Sequence, residues 1–276
     1  MNALEIRGLT KRRGDFALQG LDLTLPAGCI MGLIGENGAG KSTTIRLILN
    51  ALSRDGGTVA VYGKDNRALT PLEREDIGAV LDEVGLPEYM TARQIGRMMA
   101  GIFARWQPEV YRDYLRRLAL PEDKTFRDFS RGMKMKLGLA AALSHQPKLL
   151  LLDEATSGLD PVVRDEILTI FADFTRDEEH AVLISSHIVS DLEKICDYIA
   201  FLHKGRLLLC EEKDRLTEEY GILRGGAESL DPAVVCGRRN TPYGTEYLVR
   251  RDAVPVGMAL GQVNIEDLFV FMAKEA

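Results

Sequence analysis

The sequence lacks long apolar runs and has few cysteines, and each scarcity excludes a class of protein. Its longest apolar run, residues 137–143, is far shorter than the about 20 residues of a membrane-spanning helix. We therefore expect that the chain does not cross a bilayer and that any role at a membrane needs a separate partner. The four cysteines have no metal-ligand spacing, which predicts free thiols in a reducing compartment at Cys29, Cys196, Cys210 and Cys236.

Basic residues are in the minority, which bears on possible partners. Lys and Arg number 35 against 41 Asp and Glu, so the formal net charge is −6 at pH 7. Nucleic-acid-binding proteins usually carry a surplus of positive charge, and we therefore expect no nucleic-acid partner. Residues 1–7 lack the apolar segment of a secretory signal. The 276 residues fit one large domain, or one domain with an appendage.

A glycine-rich loop at residues 35–43 is the most informative feature present. It matches the pattern G-x-x-x-x-G-K-[ST]. In such a loop, backbone N–H groups cradle a triphosphate, and side chains would keep the backbone away from the phosphate oxygens. The lysine reaches the β- and γ-phosphates, and the serine hydroxyl ligates Mg²⁺. The sequence therefore predicts a nucleotide site formed by Gly35, Glu36, Asn37, Gly38, Ala39, Gly40, Lys41, Ser42 and Thr43.

Apolar runs around this loop predict an α/β fold with a mostly parallel central sheet and an antiparallel β portion near the N-terminus. Residues 30–34 precede the loop as a buried strand, and residues 44–49 follow it as a helix whose N-terminus faces the phosphates. The wholly apolar residues 149–152 are typical of a central parallel strand. Further strands are predicted at residues 4–7, 16–25, 56–63, 77–81, 181–186, 199–202 and 206–209.

Two regions differ from this strand pattern. From residue 82 to residue 145, apolar side chains recur at helical spacing, which predicts a helical subdomain inserted in the core. Residues 211–276 contain a strand signal and a short helix capped by Asn264, which predicts a small α+β appendage. We therefore divide the chain into a nucleotide-binding domain, residues 1–210, and this appendage. Dimerisation, regulation or simple packing are all open as roles of the appendage.

The apolar strand at residues 149–152 is followed by two carboxylates, Asp153 and Glu154. In proteins with this type of phosphate loop, the aspartate after such a strand holds Mg²⁺. A carboxylate one residue later can orient or deprotonate the water that attacks the γ-phosphate. We therefore predict Ser42 and Asp153 as Mg²⁺ ligands, and Glu154 and Lys41 as catalytic residues.

Further motifs make a family resemblance specific. Residues 129–133, Phe-Ser-Arg-Gly-Met, precede the apolar strand that ends in the two carboxylates, and residues 157–160 and His187 follow that strand. In this order, and together with the phosphate loop, they resemble the ATP-binding cassette (ABC) family over about residues 4–205. Within this family, the chain resembles small bacterial single-cassette ATPases of the exporter and acetoin-utilisation type. The segments that carry this closer resemblance are residues 129–137, 191–194 and 265–268.

The resemblance implies further site residues and a two-chain arrangement. His187 resembles the catalytic histidine that contacts the γ-phosphate, and an imidazole N–H can donate to a phosphate oxygen. Asp160 resembles a residue that links two sites across a dimer interface. Ser130 can cap a helix that begins near Met133, so that a positive helix end points at an anion. The signature that would act in trans, on ATP bound to a second cassette, consists of Ser130, Arg131, Gly132 and Met133.

Several positions depart from the family pattern. Asp82 stands where most relatives have a glutamine that touches Mg²⁺; an aspartate can still ligate Mg²⁺ but adds negative charge. Arg131 and Met133 replace a glycine and a glutamine of the signature, and we expect these changes to be tolerated. The adenine-stacking aromatic would fall at Arg13, whose guanidinium can stack on a base, with Phe16 as a nearby alternative. A solvated basic turn around Arg13 is an equally good interpretation.

The resemblance implies the ATP-binding and ATP-hydrolysing subunit of an ABC transporter, with ATP and Mg²⁺ as cofactors. ATP would close a homodimer or heterodimer of cassettes that energises a separate transmembrane permease, with export favoured. The permease contact is expected within residues 82–91, including Leu86, Pro87 and Tyr89. This predicts a cytoplasmic chain, peripheral on the inner face of the cell membrane. The alternatives are an ABC ATPase without a membrane partner and an ATP-sensing regulatory cassette with weak hydrolysis.

Overall fold

The computed structural model describes residues 1–225, 230–242, 244–255 and 257–275. Its strands are β1 (Asn2–Arg13), β2 (Phe16–Pro26), β3 (Ile30–Ile34), β4 (Gly56–Val61), β5 (Lys64–Asp65), β6 (Ile77–Val80), β7 (Leu149–Asp153), β8 (Ala181–Ser186), β9 (Tyr198–His203), β10 (Arg206–Glu212), β11 (Tyr220–Arg224), β12 (Val235–Thr241) and β13 (Gly244–Arg250). Its α-helices are α1 (Lys41–Ile48), α2 (Pro71–Arg74), α3 (Ala92–Ala100), α4 (Pro108–Arg117), α5 (Arg131–Leu143), α6 (Pro161–Phe174), α7 (Val189–Ile195), α8 (Lys213–Glu219) and α9 (Ile265–Glu275).

The central sheet has the strand order β10-β9-β3-β8-β7-β6, and each neighbouring pair is parallel except β9 and β10. All residues of β3, β7 and β8 are buried, as expected of parallel strands covered on both faces. The mostly parallel sheet predicted from the apolar runs is therefore confirmed. Because parallel strands end at one edge, the loops that follow β3, β7 and β8 lie together there.

A second, antiparallel sheet lies near the N-terminus and has the order β2-β1-β4-β5. Its buried leucines and isoleucines share one hydrophobic cluster with side chains from β3 and β7. The β1–β2 hairpin closes where Arg13 pairs with Phe16. The antiparallel portion expected near the N-terminus is thus present, and its hairpin end lies next to the phosphate loop.

The chain between β6 and β7 contains helices α3, α4 and α5 and a 3₁₀ turn (Phe126–Asp128). A reciprocal pair of hydrogen bonds between Thr91 and Gln94 caps the start of α3. Inside the subdomain, the Trp106 ring lies 5.1 Å from the Tyr111 ring, centroid to centroid. The predicted helical subdomain is confirmed, and Trp106 serves there as a packing residue.

The C-terminal region forms a three-stranded antiparallel sheet, β11-β13-β12, together with α9. Asn264 accepts a hydrogen bond from the Asp267 N–H at 2.6 Å, so it caps α9 as predicted. The helix packs against α7 as well as β12. Its Phe269 ring lies 5.3 Å from the ring of Phe201 in β9. The α+β appendage is thus joined to the rest of the chain by apolar packing.

Candidate active site

The phosphate loop lies between β3 and α1, and two of its glycines are required by the space around them. A Cβ on Gly35 would lie 2.4 Å from the carbonyl oxygen of Leu202. A Cβ on Gly40 would lie 2.8 Å from the Phe16 ring. The φ of Gly40 is 115°, a backbone angle that residues with a side chain rarely adopt. The chain therefore folds here into a backbone cradle whose N–H groups, with the start of α1, suit an anion.

Lys41, the first residue of α1, is held at the bottom of this cradle. Its side chain is 5% exposed, and its ammonium donates to the carbonyl oxygens of Gly35 at 2.7 Å and Glu36 at 3.3 Å. It also forms an ion pair with Glu154, with 3.1 Å between Nζ and Oε1. A triphosphate in the cradle would compete with Glu154 for the same ammonium group.

Glu154 lies between two nitrogen donors. Besides Lys41, its carboxylate contacts the His187 ring, with 2.7 Å between Oε2 and Nδ1. This short contact requires the ring nitrogen to donate, because a carboxylate can only accept. The structure therefore brings together the three predicted catalytic residues, which come from the ends of β7 and β8 and the start of α1.

Ser185, in β8, organises the acidic pair and was not predicted from the sequence. Its hydroxyl donates to the Asp153 carboxylate at 2.6 Å and accepts from the Glu154 N–H at 3.1 Å. The Ser185 carbonyl oxygen accepts from the same N–H at 3.1 Å. The available signal was a polar residue near the end of an otherwise apolar strand. The role of this residue becomes clear only from the register of β7 and β8, which pairs Asp153 with Ser185.

A cavity of about 370 Å³ opens above the phosphate loop. Its volume lies at the small end of the range for ligand pockets, roughly 300–1,000 Å³. Arg13 and Phe16 both form part of its wall, so either is placed to contact a base, and their stacking role stays a prediction. Asp153 and His187 are absent from its wall. The cavity is lined by Arg13, Phe16, Glu36, Asn37, Gly38, Gly40, Lys41, Ser42, Thr43, Asp82 and Glu154.

The predicted Mg²⁺ ligands offer oxygen donors: a hydroxyl on Ser42 and carboxylates on Asp153 and Asp82. Mg²⁺ prefers such donors and is usually held by one or two carboxylates together with substrate phosphates. Across residues 1–225, 230–242, 244–255 and 257–275, no cluster of three or more His, Cys, Asp or Glu could hold a metal ion. The oxygen donors of Ser42, Asp153 and Asp82 are of the type that Mg²⁺ prefers, and their role as its ligands stays a prediction.

The signature residues lie on a different surface. They line a cavity of about 450 Å³ together with Gly158, Leu159 and Asp160, and this cavity shares no residue with the phosphate-loop cavity. Ser130 accepts a hydrogen bond from the Met133 N–H at 3.3 Å and thereby caps α5. The helix begins at Arg131, two residues before the expected start. The difference arises because an N-cap side chain accepts from the third residue of the helix, here Met133, rather than from the first.

Asp160 caps the neighbouring helix α6. Its carboxylate accepts from the N–H groups of Val162 at 3.1 Å and Val163 at 3.0 Å, and Pro161 occupies the first helical position. An aspartate followed by a proline is a local signal for such a cap. The cap places Asp160 beside the signature helix, on the surface that the resemblance assigns to a dimer interface.

One contact joins the two cavities. Asp82 and Arg131, which both depart from the family pattern, form an ion pair with 2.9 Å between Oδ1 and Nη2. The two positions lie 49 residues apart in sequence, so no local pattern could reveal the pair. Their opposite charges were the only signal, and the structure shows that the two departures complement each other.

The fold and these sites define a class of protein. A parallel sheet with a phosphate loop after β3, an acidic pair at the end of β7, a histidine after β8 and a separate signature helix is the arrangement of an ABC-type ATPase cassette. A family model described as ABC transporter matches residues 18–157, and the chain belongs to this family.

Comparisons with individual proteins agree. The chain is 32% identical over 218 residues to the ABC transporter ATP-binding protein YtrB of Bacillus subtilis, covering 79% of this chain and 74% of that protein. It is 32% identical over 208 residues to the bacitracin transport ATP-binding protein BcrA of Enterococcus faecalis, covering 74% and 68%. The structure of cbiO1 from Clostridium perfringens, described as part of the ABC transporter complex cbiONQ, matches with a TM-score of 0.67 and 25% identity over 79% of this chain and 91% of that chain.

The chain is therefore an ATPase and the ATP-binding subunit of an ABC transporter, a kind of subunit that works with a transmembrane permease. The predicted family, the α/β cassette fold and ATP as the ligand are confirmed. In the part of the chain that the structure describes, no helix combines the length and apolar character needed to cross a membrane.

Proposed function

We propose that this subunit hydrolyses ATP with Glu154 as the catalytic carboxylate. The observation that carries the proposal is the position of that carboxylate, 3.1 Å from the Lys41 ammonium and 2.7 Å from the His187 ring. Both nitrogen groups are also suited to phosphate oxygens. A triphosphate seated in the cradle would therefore have its terminal phosphate next to a carboxylate that can accept a proton from water.

Each residue has its own proposed task. The ammonium of Lys41 exchanges the Glu154 carboxylate for β- and γ-phosphate oxygens, which frees the carboxylate. Glu154 then accepts a proton from water, whose oxygen bonds to the γ-phosphorus as the bond from that phosphorus to the bridging oxygen breaks. His187 donates a hydrogen bond to the γ-phosphate. Ser42, Asp153 and Asp82 would hold Mg²⁺, which would supply charge neutralisation to the phosphates.

The signature is proposed to act on nucleotide held by a second cassette. The separation of the two cavities supports this arrangement, because the start of α5 lines a different surface from the phosphate loop of its own chain. Two cassettes in head-to-tail apposition would place each Ser130–Met133 segment over the other's ATP. The partner can be a second copy of this chain or a different cassette.

The permease contact is proposed at residues 82–91, which follow the edge strand β6. Side chains of this segment, including Val84 and Leu86, line an apolar groove of about 350 Å³ with Met99 and Phe103. Tyr89, in the same segment of the chain, is 77% exposed. Through this contact, the chain would be a cytoplasmic protein, peripheral on the inner face of the cell membrane.

Export is the proposed direction of transport. It is supported by the resemblance of residues 129–137, 191–194 and 265–268 to exporter-type cassettes and by the likeness to a relative named for bacitracin transport. A regulatory cassette with weak hydrolysis is the competing function. The two functions differ in ATP turnover, which makes Glu154 the residue to test.

Replacing Glu154 with glutamine separates these functions. We expect ATP turnover to fall at least about 100-fold, since general-base groups contribute on the order of 10²–10⁴. We also expect ATP to hold the variant as a more persistent dimer, because the nucleotide is not consumed. Steady-state phosphate release and sedimentation velocity with Mg²⁺–ATP measure the two effects.

Glu179→Gln is the matched control, because Glu179 is exposed and pairs with Lys148 near the opposite end of β7. Its turnover should stay within about twofold of the wild type, as is usual for surface changes. Equal turnover of Glu154→Gln and wild type would remove Glu154 from the catalytic role, and negligible wild-type turnover would favour the regulatory cassette.

A further inference from the structure

Asp82 and Arg131 connect the two halves of the candidate site within one chain. Asp82 follows β6 and forms part of the wall of the phosphate-loop cavity. Arg131 is the first residue of α5 and lines the signature cavity. The ion pair between them, 2.9 Å long, therefore links the place where this chain would bind ATP with the surface that it would offer to a second chain's ATP.

A third loop takes part in this contact. The Arg131 guanidinium lies against Gly158, where a Cβ would come within 3.0 Å of Nη1 and 3.2 Å of Cζ. Gly158 has a φ of 68°, so a side chain there is disfavoured by backbone angle as well as by space. Arg131 is thus positioned between Asp82 and the loop that leads to Asp160.

The ion pair is weak enough to be exchanged for other partners. The side chains of Arg131 and Asp82 are 54% and 52% exposed, and exposed ion pairs contribute little to stability. Both groups have stronger partners in the proposed complex. Magnesium-bound triphosphate competes for the carboxylate, because Mg²⁺ prefers carboxylate oxygens. A γ-phosphate competes for the guanidinium, whose planar donors match phosphate oxygens.

We propose that Asp82 restrains Arg131 until the chain's own cavity receives Mg²⁺–ATP, and that the released Arg131 then binds the γ-phosphate of ATP held by the second chain. The proposal rests on the trans arrangement under the proposed function. Because each chain's hold on its partner's nucleotide depends on its own loading, the dimer closes efficiently only when both cavities contain ATP. Arg131 is then a phosphate-binding residue, and Asp82 is a proposed Mg²⁺ ligand that also positions Arg131.

The test measures dimer formation in the Glu154→Gln background, where ATP persists. Sedimentation velocity gives the Mg²⁺–ATP concentration for half-maximal dimer, and a fluorescent ATP analogue gives the nucleotide affinity of the monomer. We expect Arg131→Gln to raise the half-maximal concentration by at least about tenfold, the equivalent of one charge-assisted hydrogen bond. We expect Asp82→Asn to lower it roughly threefold after correction for monomer affinity, because a weak restraint is lost.

Three further variants and a control distinguish the regulated release of Arg131 from a static ion pair between the two cavities. In the double variant Asp82→Asn, Arg131→Gln, the Asp82 effect should vanish, because there is no cation to release. The exchanged pair Asp82→Arg, Arg131→Asp restores an ion pair but places a carboxylate at the signature, and dimerisation should stay impaired. Arg131→Lys, which keeps the charge but loses the planar fork, should be intermediate. Lys134→Gln, one turn along the same helix, is the control and should change the half-maximal concentration by less than about twofold.

Rescue of dimerisation by the exchanged pair would show a static link and overturn the proposal. So would an Asp82→Asn effect of equal size with and without Arg131. If ATP does not dimerise the Glu154→Gln chain at all, the proposed trans arrangement fails, and this inference fails with it. That outcome is distinguishable, because it appears before any change at Asp82 or Arg131.

Discussion

At the residue scale, the backbone of Glu154 shows how the candidate site is held. Its φ of 52° lies in the left-handed region, which is unusual for a residue with a side chain. The Glu154 N–H is fixed by two acceptors on Ser185, the hydroxyl and the carbonyl oxygen. These bonds offset the backbone strain and aim the carboxylate between Lys41 and His187.

Ser185 should therefore influence turnover more than nucleotide affinity. We expect Ser185→Ala to lower kcat about 10–100-fold, the usual effect of removing a group that orients a metal ligand or its neighbour. Binding of ATP without Mg²⁺ should change little, because Ser185 does not line the phosphate-loop cavity. Steady-state ATPase assays and nucleotide titrations give the two quantities.

Ser185→Thr is the matched variant, because threonine keeps the hydroxyl and suits a β-strand. It should recover most of the lost turnover. If the alanine and threonine variants are equally impaired, the hydroxyl is not the relevant group and the effect comes from packing in β8.

Residues within one motif could be predicted, whereas contacts between motifs could not. The phosphate loop is recognisable because all of its special residues lie within residues 35–43 and each has a local reason to be there. Ser185 meets Asp153 across 32 positions, and Arg131 meets Asp82 across 49. Such pairs depend on strand order and register, which single-residue patterns do not encode.

At the scale of elements, helix starts carry both stability and site geometry. α5 and α6 begin beside each other with side-chain caps from Ser130 and Asp160. The caps were predictable, since an N-cap is a local preference. The sequence predicts that α5 starts near Met133, whereas the helix begins at Arg131. Ser130 directly precedes the first helical residue, and its side chain caps the N–H of Met133, two residues after that first residue.

Asp160 has two separable roles, a cap for α6 and a predicted contact at a dimer interface. Asp160→Ala removes the cap and should destabilise the chain by about 1 kcal/mol, which lowers the melting temperature by about 2–4 °C in a protein of this size. Asp160→Asn keeps a capping oxygen and should melt with the wild type. Differential scanning fluorimetry makes this comparison.

The asparagine variant then isolates the interface role. If the carboxylate serves the dimer, Asp160→Asn should lower ATPase activity while its melting temperature stays unchanged. Wild-type activity in Asp160→Asn would limit Asp160 to capping, and an unchanged melting temperature in Asp160→Ala would contradict the capping role.

At the scale of the whole molecule, one edge of the sheet explains why distant motifs form one site. The parallel strands β3, β7 and β8 all end there, so the loops that follow them converge. The division at residue 210 stays a prediction. Apolar residues of the appendage, including Ile265, Leu268 and Phe271, belong to the same hydrophobic cluster as Phe201. The sequence predicts an appendage but not how closely it packs against the nucleotide-binding domain.

The groove beside β6 is the surface of the whole molecule on which the permease proposal depends. β6 is the edge strand of the central sheet. Gly138 of α5 lets the helix approach closely, since a Cβ there would lie 3.1 Å from Val84. The groove is mostly apolar, and Tyr89, which belongs to the same segment as Leu86, is 77% exposed. Tyrosine is enriched among the residues that dominate binding energy at protein interfaces.

Replacing both Leu86 and Tyr89 with alanine should therefore weaken permease binding. We expect at least a roughly 30-fold loss of affinity, because truncating central anchor residues typically removes 2 kcal/mol or more. The measurement is co-purification of the co-expressed permease with a tagged cassette, followed by titration in detergent. Ile102→Ala is the control, because Ile102 is a large apolar side chain, 62% exposed, outside residues 82–91. Unchanged binding by the double variant, with a melting temperature equal to that of the control, would place the permease contact elsewhere.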